Sequence, residues 1–225
     1  MNLGEFIQRI KLQVPNISST GATEPYLKTL IHSAVNAVNA LCKVWAGYTD
    51  FNIEAGKAVY DLSSVCPTFL GRDKRGLFFK DSNDKWQDVD PKTEAWLAER
   101  YPDYLNASSV EIPQYYYIRG NELGFYPPPS TSKALGCRLY HLKKGNPMTQ
   151  DSHYPFSGTA SEITAFVPLD DAIICYCRWK LAPAYGSVTD IDIREREFLA
   201  ECRKGSMQVR RSPDLSHDSD NRIKT

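Results

Sequence analysis

Residues 114–130 read QYYYIRGNELGFYPPPS, which is the pattern of a β-hairpin with a two-residue turn. Gly120-Asn121 is predicted to form the turn, because residues of high β-propensity flank this dipeptide on both sides. The prolines at 127–129 end the second strand, since proline has no N–H for a ladder. The register that follows pairs Arg119 with Glu122, Ile118 with Leu123, Tyr117 with Gly124, Tyr116 with Phe125 and Tyr115 with Tyr126.

Side chains alternate between the two sides of a strand, so this register gives the hairpin two faces. One face is apolar enough to lie on a core, and it carries Tyr116, Ile118, Leu123 and Phe125. The opposite face is predicted to meet solvent or a partner, and we interpret it as an assembly surface. Its residues are Tyr115, Tyr117, Arg119, Glu122 and Tyr126.

The composition is typical of a globular chain whose surface is rich in aromatic residues. Its 225 residues are 42% hydrophobic and include 13 Tyr, 9 Phe and 4 Trp, which suits much β-surface or much interface. The 27 basic and 27 acidic residues cancel, so no global field favours nucleic acid or an anionic membrane. The sequence shows no membrane span and no signal-peptide core, and the six cysteines are interpreted as reduced thiols of a protein made in the cytoplasm.

Helical periodicity is strongest near the two ends of the chain. One helix is predicted over residues 3–14 and a long one over 27–45, closed by Gly47. A third begins at Pro168, with two aspartates in its first turn. A last helix is predicted to end at Gly205, because glycine is a common residue just past a helix end.

In the middle of the chain, apolar and polar residues alternate instead, and this pattern predicts strands. A second hairpin is expected over residues 77–89, and Asp90-Pro91 is expected to start a short helix. A strand over 134–142 would follow the opening hairpin and complete a meander. The fold class is therefore α+β, with terminal helices packed as a bundle and an inserted antiparallel β-region of hairpins and meander.

Three regions follow from this order of elements. Residues 1–47 and 166–204 would form the helical bundle, and residues 48–165 the inserted β-region with one short helix. Residues 205–225 are polar and charged and would form an extended C-terminal tail.

No motif in the sequence indicates catalysis, a cofactor or a metal. The sequence lacks HExxH, paired CxxC, G-x-S-x-G and a phosphate-binding glycine loop in its strand-to-helix context. Cys175-x-Cys177 would point its thiols in different directions on a helix, which suits neither a metal nor a redox pair. We therefore expect no enzyme activity, no cofactor and no metal site.

Four segments resemble a known family, the head-to-tail adaptors of short-tailed bacteriophages, also described as tail tubular A or gatekeeper-type connectors. The central block EIPQYYYIRGNELGFYPPPS is similar to the P-x-Y-Y, G, L, YP-x-P segment of that family. The preceding WQDVDPKTEAWLAERYPDYL, the late FVPLDDAIICYCRWKLAPAYG and the early LKTLIHSAVNAVNAL fit the segments expected around it. The order and spacing of the four carry the resemblance over most of residues 1–204.

The resemblance implies a non-enzymatic structural protein of the virion neck. Such adaptors form a ring, typically of about twelve copies, between the portal and the tail nozzle, around the channel through which DNA is ejected. The implied partners are other copies of the chain, the portal protein and the tail nozzle protein, with genomic DNA in loose passage only. The C-terminal tail matches no motif of the family, and its docking on the portal through Arg210, Arg211, Arg222 and Lys224 is our own hypothesis.

A second reading of the same residues stays open at this point. A β-rich tail or host-attachment module could use exposed Tyr and Trp to bind carbohydrate, without forming a ring on the portal. An enzyme has less support, because no acid cluster and no pair of nucleophile and base can be named.

Overall fold

A computed structural model describes residues 1–14, 17, 22–184 and 188–210 of the chain. Six helices and seven strands account for most of these residues. The helices are α1 (Leu3–Gln13), α2 (Glu24–Cys42), α3 (Leu62–Val65), α4 (Glu94–Arg100), α5 (Asp170–Leu181) and α6 (Val188–Val209). The strands are β1 (Ala46–Ile53), β2 (Val59–Asp61), β3 (Phe69–Lys80), β4 (Trp86–Pro91), β5 (Tyr115–Arg119), β6 (Glu122–Tyr126) and β7 (Lys133–Lys143).

The fold is α+β, and the chain divides into two compact units. The helical unit combines Met1–Trp45 with the described part of Lys144–Thr225, and the β-unit is Ala46–Lys143. The sequence placed residues 144–165 in the β-region. They lie in the helical unit because Met148, Phe156 and Ala165 are buried in its core.

The helical unit is built around α2, which packs on α1, α5 and α6. The apolar stripe of α2 is buried along its length, including Leu27, Ile31 and Val38. The helix ends at Cys42, earlier than predicted, because the side chain of Asn39 replaces the next helical turn. Its Oδ1 accepts hydrogen bonds from the N–H groups of Val44 (3.2 Å) and Trp45 (2.8 Å), and its Nδ2 donates to the Trp45 carbonyl (3.0 Å).

The last helix does not end at Gly205 but continues to Val209, so residues 205–209 are not an extended tail. Gly205 is buried where α6 crosses the segment before α5. A Cβ at this position would lie 2.7 Å from the Pro168 carbonyl oxygen and 2.8 Å from a Leu169 methyl. The glycine therefore serves close packing between two segments rather than helix termination.

The β-unit is a seven-stranded sheet in the order β1-β7-β3-β4-β5-β6-β2. The hairpin over 77–89 has its expected pairing, with Leu77 opposite Val89. The predicted meander is wrong: β7 lies between β1 and β3 and does not pair with β6. The sheet is also mixed, because β4 and β5 run parallel.

The parallel pair explains why Asp90-Pro91 does not start a helix. Asp90 donates its N–H to the Gln114 carbonyl, and the strand continues to Pro91, opposite Tyr116. The short helix α4 starts later, after Thr93, whose Oγ1 accepts a hydrogen bond from the Trp96 N–H at 3.2 Å. This helix and the 3₁₀ turn Tyr104–Asn106 lie beside the opening hairpin.

Candidate assembly surface

The hairpin of β5 and β6 has the register that the sequence predicted. All five expected pairs are present, from Tyr115 opposite Tyr126 to Arg119 opposite Glu122, and Gly120 has the positive φ of +57° that its turn requires. On the core face, Tyr116, Leu123 and Phe125 are buried and Ile118 packs against them in part. The hairpin is therefore an integral part of the β-unit core.

The expectation that Tyr117 lies open to solvent is wrong, because its side chain is only 3% exposed. The ring lies directly across Gly124 on the neighbouring strand, where a Cβ would come within 2.1 Å of it. Tyr104 also contacts the ring edge-on, with centroids 6.5 Å apart. Burial raises the pKa of the Tyr117 phenol.

Tyr115 and Tyr126 are half-buried in a cluster of aromatic rings. Their rings are parallel within 6° at a centroid distance of 6.4 Å, and Tyr101 lies 4.7 Å from the Tyr126 ring. Trp96 of α4 meets the Tyr115 ring edge-on at 5.3 Å. The Lys92 ammonium lies over both Trp96 and Tyr115. Helix α4 thus covers much of the hairpin face that was predicted to meet solvent or a partner.

Arg119 is the most exposed member of the predicted assembly surface. Its guanidinium bridges two carboxylates, Glu122 and Glu94, each at 2.6 Å. The hydrogen bonds that it donates to Glu122 and Glu94 raise the pKa of the guanidinium further above its usual range, so it is charged at every working pH. Because the Arg119 side chain is 59% exposed, solvent screens the pairs, and they hold the side chain in place rather than add much stability.

Of the four residues predicted to dock on the portal, only Arg210 is among the described residues. It follows the end of α6 and donates from Nη2 to the Cys42 carbonyl at 3.3 Å. This bond satisfies an orphan carbonyl at the end of α2. Arg211, Arg222 and Lys224 lie outside the described residues.

The sequence did not single out a second aromatic surface, which we call the outer aromatic face. It lies on the side of β1, β7, β3 and β4 that faces away from the β-unit core, and its members are Tyr48, Phe78, Trp86, Arg138 and Tyr140. The Arg138 guanidinium lies 4.1 Å from the Tyr48 ring centroid and 4.7 Å from that of Trp86. The Tyr140 ring contacts Tyr48 and Phe78, each at 5.7 Å.

One ion pair orders the centre of this face. Asp50 accepts two hydrogen bonds from Arg138, at 2.7 and 2.8 Å, which fixes the planar guanidinium against the two rings. Tyr48 is 52% exposed despite these contacts. The alternation in CRLYHL (137–142), with Cys137 and Leu139 inward and Arg138 and Tyr140 outward, is the signal by which the sequence could have indicated this face.

The described residues hold no group of three or more His, Cys, Asp or Glu side chains arranged to bind a metal ion. The six cysteines are all free, and burial raises the pKa of Cys137 and Cys177. Asp170 and Asp171 lie in the first turn of α5 as predicted, where they form ion pairs with the Met1 amino group (2.6 Å) and Arg9 (2.9 Å). Within the described part of the chain, no helix has the length and hydropathy of a membrane span.

These features define an α+β protein with a seven-stranded sheet, a unit of packed helices and ordered aromatic side chains on the sheet. A family model described as SU10 adaptor protein matches residues 1–215. The chain therefore belongs to the SU10 adaptor family, in agreement with the predicted resemblance to phage head-to-tail adaptors, and it is a structural component of a bacteriophage virion. Curated proteins gave no significant match.

Proposed function

We propose that the chain forms a ring between the portal and the tail nozzle, surrounds the DNA channel and docks the next tail component. The observation that carries the proposal is the family match, which spans residues 1–215 and thus both units of the chain. A role that needs both units fits a protein that joins two neighbours better than it fits a small binding module. The ring would contain about twelve copies, as the resemblance implies.

The outer aromatic face supports a role in permanent protein contacts. Tyr, Trp and Arg are the residues that contribute most at protein interfaces, because each combines a large apolar area with groups that form hydrogen bonds. Here Arg138 is already fixed by Asp50 and by two rings, so little conformational entropy would be lost on docking. The face belongs to four neighbouring strands and offers a broad, ordered contact area.

Of the five residues that the sequence predicted as an assembly surface, four remain candidates, because Tyr117 is buried. Tyr115 and Tyr126 keep a half-exposed edge, while Arg119 and Glu122 form an exposed ion pair. We propose that they contribute to contacts with a neighbouring copy or with the tail nozzle protein. The tail with Arg211, Arg222 and Lys224, together with Arg210, would dock on the portal.

A neutral chain also suits a channel through which DNA must slide. Each phosphate that a protein neutralises adds affinity by releasing counterions, so a strongly basic lumen would slow passage. With 27 basic and 27 acidic residues, this chain would contact the genome loosely and place no sequence-specific element in a groove.

Electron cryomicroscopy of the virion tests the position in the neck directly. An antibody fragment (Fab) that recognises the chain would be added to purified particles, and particles lacking the chain would serve as the control. We expect a ring of density at the head-tail vertex that binds the antibody and is missing from the control. Antibody density along the tail fibres, or on the head away from that vertex, would contradict the proposal.

A further inference from the structure

Two buried cysteines meet where the end of α2 packs on α6. Cys42 is the last residue of α2, Cys202 lies within α6, and they are 3% and 4% exposed. The Cys42 thiol donates a hydrogen bond to the Cys202 carbonyl at 3.4 Å. The two residues are 160 positions apart in the sequence, so the packing of the two helices creates this contact.

The two thiols also interact directly, and the interaction is unequal. The Cys202 thiol hydrogen-bonds to the Cys42 sulfur, which lowers the pKa of Cys42 and raises that of Cys202. Burial opposes the change at Cys42, but the Arg210 guanidinium lowers its pKa further. Arg210 is held nearby, because its Nη2 donates to the Cys42 carbonyl at 3.3 Å. Cys42 is therefore the thiol of the pair that ionises first.

A more acidic thiol beside a less acidic one is the arrangement of a reactive dithiol. The thiolate is the nucleophile that an oxidant attacks first, and the neighbouring thiol then resolves the product. Cys42 also lies between two exposed residues, Leu41 (52% exposed) and Lys43, at a helix end, where the chain opens most easily. A small oxidant can therefore reach it.

Three other cysteines of the chain have the opposite electrostatic environment. Burial raises the pKa of Cys137, Cys175 and Cys177, so their thiols are poor nucleophiles near neutral pH. Cys175 is half-buried and close enough to Cys202 to contribute to the raised pKa of that thiol. Cys175 is therefore the competing partner that an experiment has to exclude.

We propose that Cys42 and Cys202 form a disulfide when the protein meets a peroxide. The Cys42 thiolate attacks one oxygen of hydrogen peroxide, the O–O bond breaks, and a sulfenic acid forms on Cys42. The departing hydroxide takes up the proton that Cys42 released and becomes water. The Cys202 thiol then attacks the Cys42 sulfur, the S–S bond forms, and the hydroxyl of the sulfenic acid leaves as a second water. Two thiols are thus oxidised and one peroxide is reduced.

The disulfide would join α2 to α6 covalently within the helical unit. A bond between residues 160 positions apart restricts the unfolded chain strongly, so the folded state gains stability. A virion protein is made in a cytoplasm that keeps thiols reduced and then persists outside the cell, where thiols oxidise. The bond would form after folding, and the inference does not depend on the proposed ring.

Peptide mapping of the unmodified full chain tests the pairing. The reduced protein is treated with a small excess of hydrogen peroxide, free thiols are blocked, and the digest is analysed by mass spectrometry. We expect the Cys42 and Cys202 peptides to be linked, with the loss of two hydrogens, and the melting temperature to rise by about 5–15 °C. Dithiothreitol should reverse both changes. A disulfide from Cys175 to either residue, or a stable Cys42 sulfinic acid beside a free Cys202 thiol, would overturn the inference.

Alanine variants assign the two roles. Cys42→Ala and Cys202→Ala should each abolish the linked peptide and the rise in melting temperature, whereas Cys175→Ala is the matched control and should keep both. In Cys202→Ala, the Cys42 sulfenic acid should accumulate, and dimedone should trap it. Circular dichroism under dithiothreitol checks that each variant is folded. Loss of the linked peptide in Cys175→Ala would contradict a direct reaction between Cys42 and Cys202.

Arg210→Gln separates the reactivity of Cys42 from the simple proximity of the two thiols. Loss of the guanidinium should raise the pKa of Cys42, so the reaction with peroxide near pH 7 should slow severalfold. The same disulfide should still form, because both thiols remain in place. An unchanged rate in Arg210→Gln would overturn the assignment of Cys42 as the attacking thiol.

Discussion

The Tyr117 ring lies so close to Gly124 across the hairpin that a Cβ at position 124 would come within 2.1 Å of it. The two residues are direct partners in the ladder of β5 and β6. Glycine is therefore required here for space, and not for a positive φ. The buried tyrosine depends on a residue that has no side chain.

Gly124→Ala should destabilise the β-unit by about 1–3 kcal/mol, because the added methyl displaces the Tyr117 ring from its site. Gly71→Ala is the matched control: it also lies on a strand, and a Cβ there would meet nothing closer than a Leu142 methyl at 3.8 Å. Urea denaturation of both variants measures the difference. Equal midpoints for the two variants would show that the ring can move at little cost.

Tyr117→Asp should unfold the β-unit as fully as Tyr116→Asp does. Both side chains are buried, at 3% and 1% exposure, so either substitution places a carboxylate in an apolar environment. Tyr48→Asp on the outer aromatic face is the control, since Tyr48 is 52% exposed and should tolerate a charge. Soluble yield and circular dichroism would distinguish the three. A folded Tyr117→Asp variant would mean that the site tolerates a carboxylate and is less enclosed than the burial of Tyr117 indicates.

The hairpin shows what the sequence can and cannot predict. Its register follows from a local turn and from strict alternation, so all five pairs were predicted correctly. The cover over its second face comes from α4 and from Tyr104, whose positions depend on the parallel pairing of β4 with β5. That pairing is between strands separated along the chain, and no local pattern records it. The same reason explains the failed meander, because β7 pairs with β1.

Gly205 is a single residue whose role could not be predicted from the sequence either. Glycine near the end of a helical pattern usually marks the helix end, but here the contact with Pro168 decides its role. The backbone of Leu135 in β7 was equally hidden, because a leucine in a sequence gives no sign of the positive φ of +46° that it has here. The contacts that define both positions are set by the fold rather than by neighbouring residues.

Gly205→Ala should destabilise the helical unit, although alanine normally favours a helix by about 1 kcal/mol. The added Cβ would approach the Pro168 carbonyl oxygen to 2.7 Å, and a backbone atom cannot move aside cheaply. We expect a net loss of about 1–2 kcal/mol after the gain in helix propensity is included. Ser206→Ala, one residue further along the same helix, is the control and should be neutral within about 0.5 kcal/mol. A rise in melting temperature for Gly205→Ala would contradict the observed close packing.

Loss of the Asn39 side chain should loosen the residues that follow α2. Asn39 is fully buried and bonds to the backbone of both Val44 and Trp45, so Asn39→Ala leaves these polar groups without their partner. The expected cost is about 2–4 kcal/mol, from one or two unsatisfied buried groups. Asn36→Ala is the comparison, because Asn36 is half-buried and accepts a backbone hydrogen bond from the Gly145 N–H at 2.8 Å, far from Val44 and Trp45 in sequence. Hydrogen exchange at the amides of Val44 and Trp45 should quicken in Asn39→Ala and stay slow in Asn36→Ala.

His141 should make the β-unit less stable as the pH falls. The side chain is fully buried, and this burial lowers its pKa below the ordinary 6.5, so the folded state holds the neutral ring. Nδ1 donates to the Leu142 carbonyl at 3.0 Å, which leaves Nε2 to accept from the Thr49 hydroxyl at 3.1 Å. The nearby charges have opposite effects, since Lys143 lowers the pKa and Asp73 raises it.

The unfolded chain binds a proton at His141 near pH 6.5 and the folded chain does so only at lower pH. Stability is therefore full above that pH and is lost as the pH falls through 6.5 toward the folded-state pKa. His141→Gln removes the titration while keeping a polar side chain, so its free energy of unfolding should change less between pH 7.5 and 5 than that of the unmodified chain. Urea denaturation at a series of pH values measures both slopes. Parallel slopes would show that His141 is protonated equally in the folded and unfolded states.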